Sequence, residues 1–116
     1  MELLCPGALP STIFRETAKA VEKAGIKDYL KIVNFVGHGI GIEARDYPIF
    51  TPPVKAASPF LPGSYDLPIE ENMVISIEVP YLKELGLGGF QIEYTLLVTK
   101  DGCKKLYPHE RSLVVR

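Results

Sequence analysis

Two runs of strict alternation, Met73–Val79 and Phe90–Thr99, constrain this chain more than anything else in it. In the first, Met73, Ile75, Ile77 and Val79 fall on one side of an extended backbone and Val74, Ser76 and Glu78 on the other. In the second, Phe90, Ile92, Tyr94, Leu96 and Val98 oppose Gln91, Glu93, Thr95, Leu97 and Thr99. A period of two marks a strand with one face on a core. The stretch between them, Pro80 to Gly89, is rich in glycine and suits a reversal of direction, so the two runs are expected to pair as an antiparallel hairpin. Lys100-Asp101-Gly102 supplies a further turn before a last short strand around Lys105-Leu106.

The N-terminal part has a different period. After Pro10-Ser11, the residues Ile13, Phe14, Thr17, Ala18, Val21 and Ala24 recur at three- and four-residue steps, which predicts one helix. Ser11 is expected to cap its first turn, and Lys23 with Gly25 to close its last. Arg15, Lys19 and Lys23 line another face as a solvated charge stripe. Past Gly25 strand character returns: Leu30–Val36 is mixed, and Gly37–Glu43 alternates small and apolar residues. Residues 47–72 carry six prolines and read as a long irregular connection that covers or binds something. A chain of 116 residues has room for one small domain. Its class is α+β, an antiparallel sheet with one helix.

Bulk properties exclude several functions. Thirteen basic residues against fourteen acidic ones give a net charge of −1, which does not make a polyanion-binding surface, so no nucleic-acid partner is expected. No apolar run approaches the ~18–20 residues of a membrane span, and Met1–Pro6 lacks the basic start of a signal peptide. A soluble, cytoplasmic chain with no membrane partner is expected. Cys5 and Cys103 lie at opposite ends and read as free, partly buried thiols, neither a metal knuckle nor a redox pair.

The hairpin brings chemistry with it. Glu78 and Glu93 both fall on its less apolar face, near the loop end. Adjacent carboxylates repel, and one buried without a partner is costly. Such a pair is tolerated if one carboxyl keeps its proton, if a cation sits between them, or if water reaches both. Periodicity alone favours the last, an exposed outer face. His38 alters the balance, because only His38 and His109 can supply an imidazole and His38 stands between two glycines that leave its ring open and allow close approach. One imidazole and two carboxylates suit a hard or borderline divalent ion such as Mn, Co, Fe or Zn. A phosphate cradle is the competing role for Gly37, Gly39 and Gly41, but their spacing does not fit the dinucleotide fingerprint and no clear helix follows.

Three ordered segments resemble a known family. Gly37-His38-Gly39-Ile40-Gly41 with Glu43, then Asn72–Glu78, then Gln91–Gly102 are similar to the C-terminal half of the pita-bread metallopeptidases of the M24 type. That family holds methionine aminopeptidases, Xaa-Pro aminopeptidases and prolidases, with creatinase as a non-peptidase relative. The Pro6-Gly7 step, the helix and Gly25 resemble the segment before the first motif, and Tyr81–Gly89 looks more like the Xaa-Pro branch than the methionine branch. The resemblance implies a curved antiparallel sheet and a site with divalent metal, Mn or Co. It implies His38 as a ligand and catalytic group, Glu78 as a ligand and proton shuttle, and Glu93 as the carboxylate bridging two ions. The implied reaction is hydrolysis of an N-terminal Xaa-Pro bond in a peptide substrate with proline second.

The same resemblance marks what these residues do not supply. The family takes two more ligands from aspartates on a hairpin before the helix, and none of Asp28, Asp46, Asp66 or Asp101 lies where they belong. Residues 1–116 are therefore expected to form a partial catalytic domain, inactive alone, with at most one weak metal site. Where the family has a second histidine, this chain has Arg45, a candidate for binding a substrate carboxylate. A homodimer, or a missing N-terminal half, is the expected partner. Two alternatives stand beside the peptidase: a non-catalytic half-domain used for binding or dimerisation, and a creatinase-like hydrolase that needs no metal.

Overall fold

A computed structural model describes residues 3–25, 35–52, 66–81 and 90–108. The irregular stretch at 53–65, the reversal at 82–89 and His109 lie outside the described residues. In chain order the elements are α1 (Pro10–Lys23), β1 (Gly37–Gly39), β2 (Asp46–Ile49), β3 (Val74–Tyr81), β4 (Phe90–Thr99) and β5 (Gly102–Lys105). The five strands form one sheet in the order β2-β1-β3-β4-β5, with every neighbour antiparallel.

The two alternating runs pair as their pattern dictates, with Ile75 opposite Leu96 and Glu78 opposite Glu93. Ile75, Leu96 and Val98 pack on one face with Leu4 and Ile13, joined by Val36, Phe50 and Ile69. These eight side chains are all nearly inaccessible, and burying each contributes roughly 1.5–3 kcal/mol of transfer free energy.

Three local expectations change. The strand foreseen over 37–43 stops at Gly39, and residues 41–45 form a bend held by the Glu43 N–H on Asp46 Oδ2 at 2.9 Å. Strand β2 arises inside the stretch read as irregular. Pro48 hid it, yet an edge strand tolerates proline because one side of its ladder has no partner. The third change is at the helix start. Leu9, not Ser11, is the N-cap, with Pro10 in the first turn where a missing N–H costs nothing. Ser11 instead gives its N–H to Asp66 Oδ1 at 2.9 Å and its hydroxyl to Asp66 Oδ2 at 2.6 Å. A carboxylate 55 positions away thus satisfies an orphan donor and meets the positive end of the helix dipole. The neighbouring segment is tied in as well, through Ile69 N–H to Ala8 O and Gly7 N–H to Ile69 O, both 2.9 Å. The helix ends as expected, with Lys23 in its last turn and Gly25 at φ +84°.

The glycines beside His38 serve the backbone rather than the ring. Neighbours in a strand point to opposite faces, so Gly37 and Gly39 look away from the His38 side chain. A Cβ on Gly37 would stand 2.3 Å from Ser76 O and 2.8 Å from the Phe50 ring, and one on Gly39 2.1 Å from Tyr47 O. The close approach they permit is by the chain itself.

Gly39→Ala must push β2 away, because the obstacle is backbone; its melting temperature should fall by on the order of 10 °C. Gly41→Ala meets only the Asp46 carboxylate, which can swing aside, and should cost about 1 kcal/mol or less by denaturant titration. Asp66→Ala should lower stability by about 1 kcal/mol in the same titration, with Asp66→Asn retaining part of it.

Candidate functional site

Strand register builds the polar face. His38 lies opposite Ser76 across the β1–β3 ladder, and Ser76 and Glu78 lie opposite Thr95 and Glu93 across β3–β4. With a period of two, His38, Ser76, Glu78, Gln91, Glu93 and Thr95 share the face turned away from the Ile75–Leu96 core.

His38 is oriented by its own neighbour. Nδ1 lies 2.8 Å from the Gly39 carbonyl oxygen, which can only accept, so Nδ1 carries a hydrogen. The neutral ring then presents its lone pair at Nε2, and Nε2 stands 3.5 Å from Glu78 Oε1. Both side chains are largely covered, at 12% and 6% exposed. Glu78 Oε2 accepts a hydrogen bond from Gln91 Nε2, while Oε1 is buried with no hydrogen-bond partner. Two acceptors facing each other in a site closed to water are unfavourable unless something positive joins them. That something is a proton between the two atoms or a cation.

The other foreseen residues are placed differently. Glu93 is exposed, and its Oε1 accepts from the Ser76 hydroxyl at 2.5 Å; Ser76 itself is fully buried. The expectation of a solvated outer face therefore holds for Glu93 and fails for Glu78. Tyr107 closes the β4 edge beside it, donating to Glu93 O at 2.6 Å and accepting from Thr95 N–H at 3.3 Å. Arg45 sits in the exposed bend between β1 and β2, its guanidinium 4.8 Å above the Phe35 ring, and is not drawn into the His38–Glu78 pair. Cys5 and Cys103 are half-buried thiols not joined in a disulfide, and burial pushes the Cys103 thiol pKa up.

Among the described residues no three of His, Cys, Asp and Glu come together closely enough to enclose a metal ion. The fit is thus to the pair, with Glu93 next to it on the ladder and turned to Ser76. Imidazole nitrogen and carboxylate oxygen nonetheless suit a hard or borderline divalent ion, and the unpaired Oε1 is the kind of atom such an ion satisfies. Ser76 and Gln91 were not foreseen as parts of the site. Each stands two residues before a glutamate on the same strand face, the one signal that could have found them.

Comparison with known proteins supplies the family. The model of metallopeptidase family M24 matches residues 1–100. An Xaa-Pro dipeptidase of Pyrococcus furiosus is 30% identical over 115 residues, covering 98% of this chain and 29% of that protein. A dimethylsulfoniopropionate lyase of Roseovarius nubinhibens is 28% identical over 118 residues, covering 100% of this chain and 24% of the lyase. Among solved structures, the prolidase from Pyrococcus furiosus superposes with a TM-score of 0.70 at 30% identity, over 95% of this chain and 28% of the prolidase. The chain therefore spans less than a third of the length of these relatives. The family model covers most of the chain and a relative 30% identical matches nearly all of it, so the chain belongs to metallopeptidase family M24.

Proposed function

We propose that these residues form the metal-holding sheet of a peptidase that hydrolyses an N-terminal Xaa-Pro bond, and that His38, Glu78 and Glu93 are the residues that would hold a divalent ion, Mn or Co. The observation that carries this is the buried, unpaired Glu78 Oε1 facing His38 Nε2 at 3.5 Å. The relatives named Xaa-Pro dipeptidase and prolidase support the substrate class. When bound, such an ion polarises the scissile carbonyl and makes a coordinated water acidic near neutral pH. The chain's own residues do the rest. His38 is kept in one tautomer by Gly39 O, Glu78 has an oxygen free to take and return a proton, and Gln91 prevents that carboxyl from rotating. Arg45 is suited to the carboxylate of a short peptide, since it is exposed and its guanidinium carbon lies over the Phe35 ring. The partner is a second copy or an N-terminal half carrying the remaining ligands.

A second reading is favoured by the lack of a three-ligand enclosure among the described residues: a non-catalytic half-domain that keeps the sheet as a binding surface. Titration calorimetry with Mn²⁺ or Co²⁺ separates the two. The peptidase assignment predicts one site per chain, weakened at least 100-fold in His38→Ala and in Glu78→Ala, and Xaa-Pro hydrolysis by the assembled protein that chelation abolishes. No binding by the wild-type chain sinks the metal centre in favour of the half-domain. Turnover that survives chelation points instead to a creatinase-like hydrolase.

A further inference from the structure

We infer that Ser76 and Gln91 are positioning residues, which hold the two carboxylates of the site through a reciprocal diagonal clamp across the β3–β4 ladder. The inference rests on the metal-centre proposal for its purpose, but its geometry stands on the strand register. Glu78 faces Glu93, so Ser76, two residues before Glu78, is the diagonal neighbour of Glu93. Gln91, two residues before Glu93, is likewise the diagonal neighbour of Glu78. Each polar side chain reaches past the glutamate of its own strand to the one opposite: Ser76 Oγ donates to Glu93 Oε1 at 2.5 Å, and Gln91 Nε2 donates to Glu78 Oε2.

The clamp has two physical consequences. A carboxylate with one oxygen held by a directional donor cannot rotate freely, so the other oxygen is aimed. For Glu78 the held oxygen is Oε2, and the aimed one is Oε1, which has no hydrogen-bond partner and faces His38 Nε2. The donors are also neutral. They take up lone pairs and ease the repulsion between two adjacent carboxylates without cancelling the negative charge that attracts a cation. Ser76 is fully buried, and a buried hydroxyl needs a partner, so the Glu93 contact is fixed from both sides. Outer-layer donors of this kind typically govern metal affinity by ~10–100-fold.

The test uses Mn²⁺ alone as probe, with binding followed by the electron paramagnetic resonance signal of the free ion, and carboxyl ¹³C shifts recorded on the metal-free chain. Gln91→Met keeps the shape and removes the donor, and Gln91 is exposed, so folding is spared. It should weaken Mn²⁺ binding about tenfold or more, while Gln91→Arg, which restores a donor, should recover to within about threefold. Ser76→Ala should weaken binding similarly. In the metal-free shifts, Gln91→Met should move the Glu78 carboxyl and leave Glu93 in place, and Ser76→Ala should do the reverse. Wild-type affinity in Gln91→Met, or failure of Gln91→Arg to recover it, overturns the positioning role. If the wild-type chain binds no Mn²⁺, the metal centre falls, and the clamp is then decided by the carboxyl shifts: crossed movement sustains it, and unmoved or uncrossed shifts overturn it.

Discussion

Two carboxylates placed opposite each other on an antiparallel ladder repel, and a chain accepts that arrangement only when the surroundings answer it. Here the β3–β4 register sets Glu78 against Glu93, and the rest of the polar face is arranged about that opposition. Slipping either strand by one residue would turn its glutamate into the apolar layer and its core residues, Ile75 on β3 or Leu96 and Val98 on β4, onto the polar face. The burial of those three side chains therefore enforces the position of the carboxylates. Packing on one face dictates chemistry on the other.

The remaining elements hold that ladder in place. Strand β1 is only three residues long, yet it lies between β2 and β3 and carries His38. Such a short strand is fixed by close backbone approach, which Gly37 and Gly39 allow and any Cβ would prevent. The helix covers the apolar face through Ile13, and its start is anchored by Asp66, from the segment that leads into β3. A single carboxylate thus couples the helix dipole to the chain just before the site strand. Glu78 and Asp66 are both acidic but differently served: Asp66 meets oriented N–H and O–H donors, whereas Glu78 meets one amide donor and turns its other oxygen to an imidazole nitrogen.

Much of this was legible in the sequence where a pattern is local and regular. The alternation over 73–79 and 90–99 identified two strands, their pairing and the shared face of Glu78 and Glu93, and the helical period located α1 to within a residue or so. What escaped depends on distance or depth. Ser11 looked like a cap because its type and position were right, but Asp66 took its hydroxyl from 55 positions away. Strand β2 escaped because proline and a short span leave no alternation to count. Periodicity assigns a face but not how deeply it is covered, so it could not separate buried Glu78 from exposed Glu93. Ser76 and Gln91 escaped because a diagonal contact is defined only once the register is known.

That difference in depth between two like residues has a consequence for stability. Glu93 keeps contact with solvent and has a hydroxyl donor for one of its oxygens. Glu78 is covered, and one of its oxygens lacks any hydrogen bond, a condition that costs roughly 1–3 kcal/mol for a neutral group and more for a charged one. A chain that keeps a carboxylate there retains a latent attraction for positive charge, aimed at an imidazole whose other nitrogen is already committed. The destabilisation and the affinity are the same interaction with opposite sign: a cation that satisfies Oε1 returns to the fold the free energy that a buried oxygen without a hydrogen bond withholds.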